Sequence, residues 1–359
     1  MDTATASIEP LRQQVLDAAA SVRPLHIRGG GSKDWYGQQL EGDILDTRGH
    51  AGIVDYEPTE LVITARCGTP LAEIEAALAE RRQMLAFEPP HFGPHATLGG
   101  AVACGLSGPR RATSGAMRDF VLGATLLDGK GDVLSFGGRV MKNVAGYDVS
   151  RLLAGSLGTL GLILEVSLKV LPRPFAESTL RFEVGEIEAI RRLNEWGGQP
   201  LPVSGSWWCD GALMLRLSGA EAAVLAARRL LGGEEVPDAA AFWVEVREQR
   251  LPFFAGDEAL WRLSLPSTSG AIVLGGAQAI EWGGAQRWLR AGSDAASAQA
   301  IRRTAAACGG HATLFRGGDK SVGVFHPLAP ALNTIQSRMQ LAFDPQRIFN
   351  RARMYPSGA

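Results

Sequence analysis

Apolar positions recur along this chain with two periods, and the switches between them mark its elements. Residues 8–22 set Leu11, Val15, Leu16 and Ala19 on one face at helical spacing. The run Leu25-His26-Ile27-Arg28 then reads as a strand, followed by candidate strands at 43–46, 52–56 and 61–65, the last rich in β-branched residues. Thr69-Pro70 opens a helix with the proline at its first position, where a missing N–H does no harm; Leu71, Ile74 and Leu78 form its apolar face. A strand at 84–87 completes a β-α-β unit, predicted as a first lobe of residues 1–88.

A second lobe, residues 89–175, begins with Pro89-Pro90 and a small, glycine-rich stretch at 97–108. Strands at 121–127 and 132–136 flank Asp128-Gly129-Lys130-Gly131, a hairpin signal. A strand of alternating type at 162–171 is stopped by Pro172 and Pro174, which mark a domain boundary. Beyond it, residues 176–325 read as an α+β unit with strands at 179–184, 203–209, 212–217, 259–265, 271–276 and 311–315. Helices at 186–196, 220–231 and 295–307 interleave with them, which predicts an antiparallel sheet covered by helices on one face. Residues 326–359 form a C-terminal segment with a helix at 329–343.

At 359 residues, the chain is too long for one ordinary core and should divide into two or three units. Its 46% hydrophobic and 20% charged residues are those of a globular protein, and a net charge of −1 offers no basic field for nucleic acid. Cys67, Cys104, Cys209 and Cys308 are far apart and form no C-x-x-C pair, so iron–sulfur and zinc sites in this chain are unsupported and no metal is expected. Such cysteine usage fits a reducing compartment. The first twenty residues have no apolar core of a signal peptide, so a cytoplasmic location is expected, with peripheral contact to the inner membrane through a partner left open.

Glycine numbers 44, well above the usual share of about 7%, and it is concentrated in discrete loops. The first is Arg28-Gly29-Gly30-Gly31-Ser32-Lys33-Asp34, directly after a strand. Three glycines remove every Cβ from a bend, so its N–H groups can press against the charged oxygens of a pyrophosphate. Each such bond is worth about 1.5–3 kcal/mol. The spacing matches neither G-x-x-x-x-G-K-[ST] nor G-x-G-x-x-G, which excludes a P-loop and a Rossmann fingerprint.

Together with Thr97-Leu98-Gly99-Gly100, Ser107-Gly108, Gly115 to Asp119, Gly146-Tyr147-Asp148 and Gly155 to Gly161, this loop resembles the vanillyl-alcohol-oxidase-type flavoproteins, whose PCMH-type domain clasps FAD between two lobes. The runs Pro90 to Gly100, Val140 to Asp148 and Phe349 to Tyr355 are similar to those of the smaller FAD-binding subunits of bacterial glycolate oxidases. The resemblance implies an α+β fold: a two-lobed FAD domain, a reduced cap and a C-terminal helical return. It assigns the pyrophosphate to Arg28, Gly29, Gly30, Gly31, Ser32, Lys33 and Asp34. Thr97, Leu98, Gly99 and Gly100, with Cys104, Ser107 and Gly108, would line the flavin and ribityl chain. Gly115 would approach from the other lobe, Gly161 and Leu162 would face the adenosine, and Asn350 the ring. It also implies oxidation of a 2-hydroxy acid such as glycolate with electrons passed to an acceptor, in a complex with a larger FAD-containing catalytic subunit and an iron–sulfur subunit.

The sequence also departs from the family. Where covalent members carry a histidine in the first loop, Ser32 and Lys33 stand, so noncovalent FAD is expected, His91 being the one nearby alternative. The H-x-G-D-G-N-x-H run of relatives oxidising hydroxy acids is broken here, at His311 to Lys320. Catalysis is therefore unassigned, with His311, His326 and Arg111 as weak candidates. A non-catalytic, FAD-holding electron-transfer subunit and a stand-alone flavoenzyme acting on another alcohol both remain open. Finally, Trp207-Trp208 on one strand point to opposite faces, so either one of the pair faces a partner subunit or the cap is buried on both sides.

Overall fold

The computed structural model describes residues 3–138 and 148–355. The motif from Val140 to Tyr147, with Lys142, Asn143 and Gly146, lies outside the described residues. The N-terminal helix, Thr3–Ser21, buries Leu11, Val15 and Ala18. Strand Leu25–Arg28 pairs in parallel with Asp43–Asp46 as a separate two-stranded sheet.

A five-stranded antiparallel sheet runs in the order Ile53–Glu57, Val62–Arg66, Leu162–Lys169, Val121–Leu127, Val133–Gly137. It joins strands from both sides of residue 88, so the chain is not halved there into consecutive lobes. Strand Leu162–Lys169 is central and covered on both faces. Ile163 and Leu168 pack into the main core with Leu71, Ile74 and Leu78; Leu162 and Leu164 meet the N-terminal helix.

Three local expectations are corrected. Pro70 takes the N-cap position of helix Leu71–Glu80, not its first turn, while the Thr69 hydroxyl bonds the backbone of Gly52. Only Gln83–Met84 extends as a strand; Leu85, Ala86 and Phe87 are core residues without ladder partners. The apolar run 271–276 is irregular, and the strand lies at Ala277–Glu281.

Past Pro174, eight antiparallel strands follow the order Glu234–Val236, Ala176–Glu183, Ala212–Gly219, Val203–Cys209, Ala277–Glu281, Gln286–Arg290, Leu260–Ser264, His311–Arg316. Helices Glu186–Gly197 and Glu221–Leu231 pack on one face through Ile190, Leu193, Val224 and Ala227, and Ala295–Ala307 covers the far strands through Ala298 and Ile301. A fourth helix, Ala240–Arg247, was not anticipated and sits on the opposite face, where Trp243 and Val246 join Trp207, Met214, Trp288 and Phe315. Tyr36, Leu106 and Leu157 complete that cluster, which makes it the seam between the cap and the glycine loops.

Both tryptophans of the 207–208 pair are buried within the chain. Trp207 lies in the seam, and the Trp208 indole donates to the Val184 carbonyl on the helical face. The expectation of a partner interface there is overturned, because the sheet is covered on both sides. Cys67 is buried and its thiol pushed up to about 12 by burial; the other three cysteines are half-buried, and all four are free. No described helix is long and apolar enough to cross a membrane.

A glycine cleft with two buried cations

Strand Leu25–Arg28 delivers the chain into a loop pressed against the segment 95–97. A Cβ on Gly30 would stand 1.4 Å from the His95 carbonyl oxygen, and one on Gly29 would stand 2.3 Å from Thr97 Oγ1. Gly31 adopts φ +72° beneath the Arg28 guanidinium, and Arg28 Nε is 2.7 Å from Asp34 Oδ2. The backbone N–H groups of residues 29–33 have no acceptor among the described residues. A row of unmet donors is costly unless water or a ligand meets it.

The C-terminal tail locks this loop. Asn350 accepts from the Ile27 N–H at 2.8 Å and donates to the Leu157 carbonyl at 2.6 Å. Arg353 is buried and donates to the carbonyls of Lys33, Asp34 and Gln38. From the cap side, Glu248 accepts from the N–H groups of His91 and Phe92, at 3.1 and 2.8 Å. Burial pushes this carboxyl up, but those two donors and Arg247 outweigh it and hold it below the usual range.

Charge is unbalanced here. Lys33 bonds the His91 carbonyl, Lys320 the carbonyls of Trp35 and Gly37, Arg316 the Gln249 side chain, Arg262 the Tyr36 hydroxyl, and Arg353 three carbonyls. None of the five has an acidic side chain within ion-pair distance among the described residues. Arg316 stacks over Trp35 and Phe92, and Arg262 over Phe315. Burial lowers the pKa of Lys33, with Cys104 and Glu248 partly opposing it. Of the five, Lys33 and Arg353 are buried and line the glycine cleft, while Arg262, Arg316 and Lys320 are partly buried outside its lining; buried cations without acidic partners raise the local potential and favour an anion.

The resulting cleft, open to solvent, brings together Arg28, Gly29, Gly30, Gly31, Ser32, Lys33, Asp34, Thr97, Gly100, Cys104 and Asn350. It adds His26, Ile27, Leu40, Ala103, Leu157 and Arg353, which the sequence reading did not single out for it. Leu157 falls inside a glycine block and Arg353 three residues past Asn350, so proximity to motifs was the available signal. Other anticipated residues lie elsewhere. Leu98 is in the core, and Gly99 packs against Cys67. Leu162 joins the N-terminal cluster, and Gly161 abuts Leu126 and Leu127. Gly115 caps a short helix at φ +106°. Ser107 and Gly108 line a separate cavity at the seam.

The three catalytic candidates stay apart from the cleft. His311 is exposed on an edge strand of the cap sheet, and His326 faces the Ala312 N–H at 3.4 Å. Arg111 stacks 4.4 Å over Trp282. His91 pairs with Glu75 at 3.2 Å, a loop-packing contact.

A cleft with free N–H groups, the buried cations Lys33 and Arg353, and glycines that admit no Cβ suits a dinucleotide's diphosphate. Residues 4–137 match the family model of an FAD binding domain, and FAD is the cofactor this class holds. The chain is 52% identical over 347 residues, 97% of each chain, to glycolate oxidase subunit GlcE of Escherichia coli (strain K12). It therefore belongs to the GlcE family of glycolate oxidase subunits, FAD-linked oxidoreductases. Glycolate oxidase subunit GlcD of Bacillus subtilis (strain 168) is 40% identical over 84 residues, 23% of this chain and 18% of that one. The fold is shared with a solved alkyldihydroxyacetonephosphate synthase, at TM-score 0.66 over 97% of this chain and 76% of that one, with 14% identity.

Proposed function

We propose that this chain holds FAD noncovalently within a complex that oxidises glycolate, or a close 2-hydroxy acid, to the 2-oxo acid. The observation that carries the reading is the row of unmet N–H groups at residues 29–33 beside cations that lack acidic partners. These groups would hold the diphosphate, with Asn350 and Arg353 keeping the loop in shape. FAD bound there supplies a two-electron acceptor for hydride from an alcohol carbon. The aromatic seam of Trp35, Phe92, Trp288 and Phe315 keeps water from its inner end. No histidine stands in the first loop, and Lys33 is turned to the His91 carbonyl, which supports noncovalent attachment.

Neighbours in such a complex would be a larger FAD-containing catalytic subunit of GlcD type and an iron–sulfur subunit, carrying electrons on in the cytoplasm or at the inner face of the membrane. A second reading, in which this chain only relays electrons, is favoured by one observation: His311, His326 and Arg111 all lie away from the cleft. An anaerobic visible spectrum of the purified chain, recorded before and after adding glycolate, decides between them. Bleaching of the flavin band near about 450 nm supports direct oxidation. A band that stays oxidised while the assembled complex turns over assigns the substrate chemistry to the partner.

A further inference from the structure

The C-terminal helix Pro330–Phe343 is turned inside out. Its half-buried side carries Asn333, Gln336, Ser337 and Gln340 beside Met339 and Phe343. Its outer side carries Ala331, Thr334, Ile335, Arg338, Leu341 and Ala342, which recur at helical spacing. Leu332, Ile335 and Leu341 are 55%, 54% and 44% exposed. An amphipathic helix that faces water has the opposite arrangement. Every other described helix of eight or more residues buries side chains, and this one buries none. Its apolar hold on the body comes from Met339 and Phe343, both only partly buried. So little burial leaves a helix of 14 residues marginal in water.

Charge narrows what covers it. The helix has no Asp, Glu or Lys. Its one charge, Arg338, is exposed on the outer side and has no acidic side chain within ion-pair distance among the described residues. Interfaces are enriched in arginine and depleted of Lys, Glu and Asp in this way. The solvated cap helix Glu186–Gly197 is built differently, with Arg191 and Arg192 paired to Glu188 and Glu195. A second copy of this chain, docked about a two-fold axis, would bring Arg338 against Arg338. A lipid surface asks for clustered basic residues and aromatic anchors, and the outer side has one arginine and no aromatic ring. The face suits an apolar protein surface with a carboxylate opposite Arg338. Its position agrees: the cavity behind the helix is lined by Asn333, Gln336 and Gln340, and also by Asn350 and Arg353, which line the glycine cleft as well. A body seated on the helix therefore stands beside the cofactor site, as a redox subunit must.

We propose that the outer face of helix Pro330–Phe343 docks another redox subunit of the same complex, through an apolar patch centred on Ile335 and a carboxylate of that subunit facing Arg338. The proposal rests on the reading of this chain as one subunit of an oxidase complex and adds the surface through which it joins.

The test uses the chain co-expressed with the GlcD-type subunit and the iron–sulfur subunit, with analytical ultracentrifugation of the purified complex across a dilution series. Ile335→Asp places a charge in the apolar patch, and Arg338→Glu faces a carboxylate with its own kind; each should raise the dissociation constant at least about tenfold. The gap between native and R338E should narrow as salt rises from about 0.05 M to about 0.5 M, because screening weakens both the native attraction and the introduced repulsion. Both variants should keep the flavin content and melting temperature of the native chain, since neither side chain is buried. Leu230→Asp, at a residue 70% exposed on cap helix Glu221–Leu231, should leave the complex intact. Native dissociation constants in I335D and R338E, or equal losses in L230D, overturn the proposal. So does a native chain that dimerises alone and becomes monomeric as I335D, which gives the face to a second copy. Binding of the chain to anionic phospholipid vesicles, lost in I335D while the complex holds, gives it to a membrane and equally overturns the proposal. Should I335D melt early, R338E and its salt dependence decide. Native chains that never associate refute the reading of a complex along with the proposal; association that neither variant disturbs refutes the surface alone.

Discussion

Replacing Asn350 with alanine removes two bonds that reach across the whole chain. The Ile27 N–H loses its acceptor at 2.8 Å, and the Leu157 carbonyl loses its donor at 2.6 Å. Each buried backbone group left unmet costs about 1–3 kcal/mol. Alanine must also hold the φ of +39° that Asn350 adopts, which adds about 1 kcal/mol because a Cβ crowds the following carbonyl. The total, about 3–7 kcal/mol, is a large part of a typical stability of about 5–15 kcal/mol. Damage should concentrate in strand Leu25–Arg28, which has one ladder partner and is otherwise held through the tail. Amide hydrogen exchange in that strand should speed up about 10²–10³-fold, with a lower melting temperature and weaker FAD retention. Exchange within about tenfold of the native rate, with an unchanged melting temperature, would refute the reasoning.

Gly30→Ala should abolish flavin content, since its Cβ would fall 1.4 Å from the His95 carbonyl oxygen; Gly49→Ala, with nothing within 4 Å, should leave flavin absorbance per chain unchanged. Glu88→Gln should loosen the cap, because Glu88 meets the Arg110 N–H at 2.8 Å and Arg216 at 3.0 Å in buried surroundings. A loss of about 2–4 kcal/mol by thermal melting is expected, as a buried arginine is left short of its partner. For Glu281, the folded carboxyl titrates at about 7 against 4.5 when free. The folded state therefore binds more protons between those values, and stability falls as pH rises through that window, by about 3 kcal/mol. Melting of E281Q should lack this fall, so its stability relative to the native chain should improve as pH rises from about 4.5 to about 7 and level off above that.

The first loop was legible because its chemistry is local: a strand, three glycines, then Ser32 and Lys33. The helix at 295–307 was equally plain, with Asp294 as its cap. What escaped the sequence depends on distant partners. Residues 271–276 look like a strand, yet Val273 is 97% exposed. The real strand carries Gln278 and Glu281, polar residues covered only once the hairpin forms, Gln278 bonding the Ile272 and Leu274 carbonyls and Glu281 accepting from Gln286 and Trp288. Trp207 and Trp208 point to opposite faces of one strand, and both bury because helices cover one face and the glycine loops and helix Ala240–Arg247 the other. The pairing of Asn350 with residues 323 and 193 positions away could come only from resemblance. Likewise, Lys33 was assigned to the loop, but Arg353, the other buried cation beside it, was not, because only the fold brings it back against residues 33–38.

The central claim is that residues 29–33 hold the diphosphate of FAD. Fluorescence titration of the flavin-free chain with FAD and with riboflavin, which lacks the diphosphate and adenosine, tests it most directly. Two or more charge-assisted bonds at about 1.5–3 kcal/mol each should make FAD bind at least about 10²-fold tighter, and Gly30→Ala should erase the difference. Equal affinity for the two, or a preference that survives Gly30→Ala, would contradict the account.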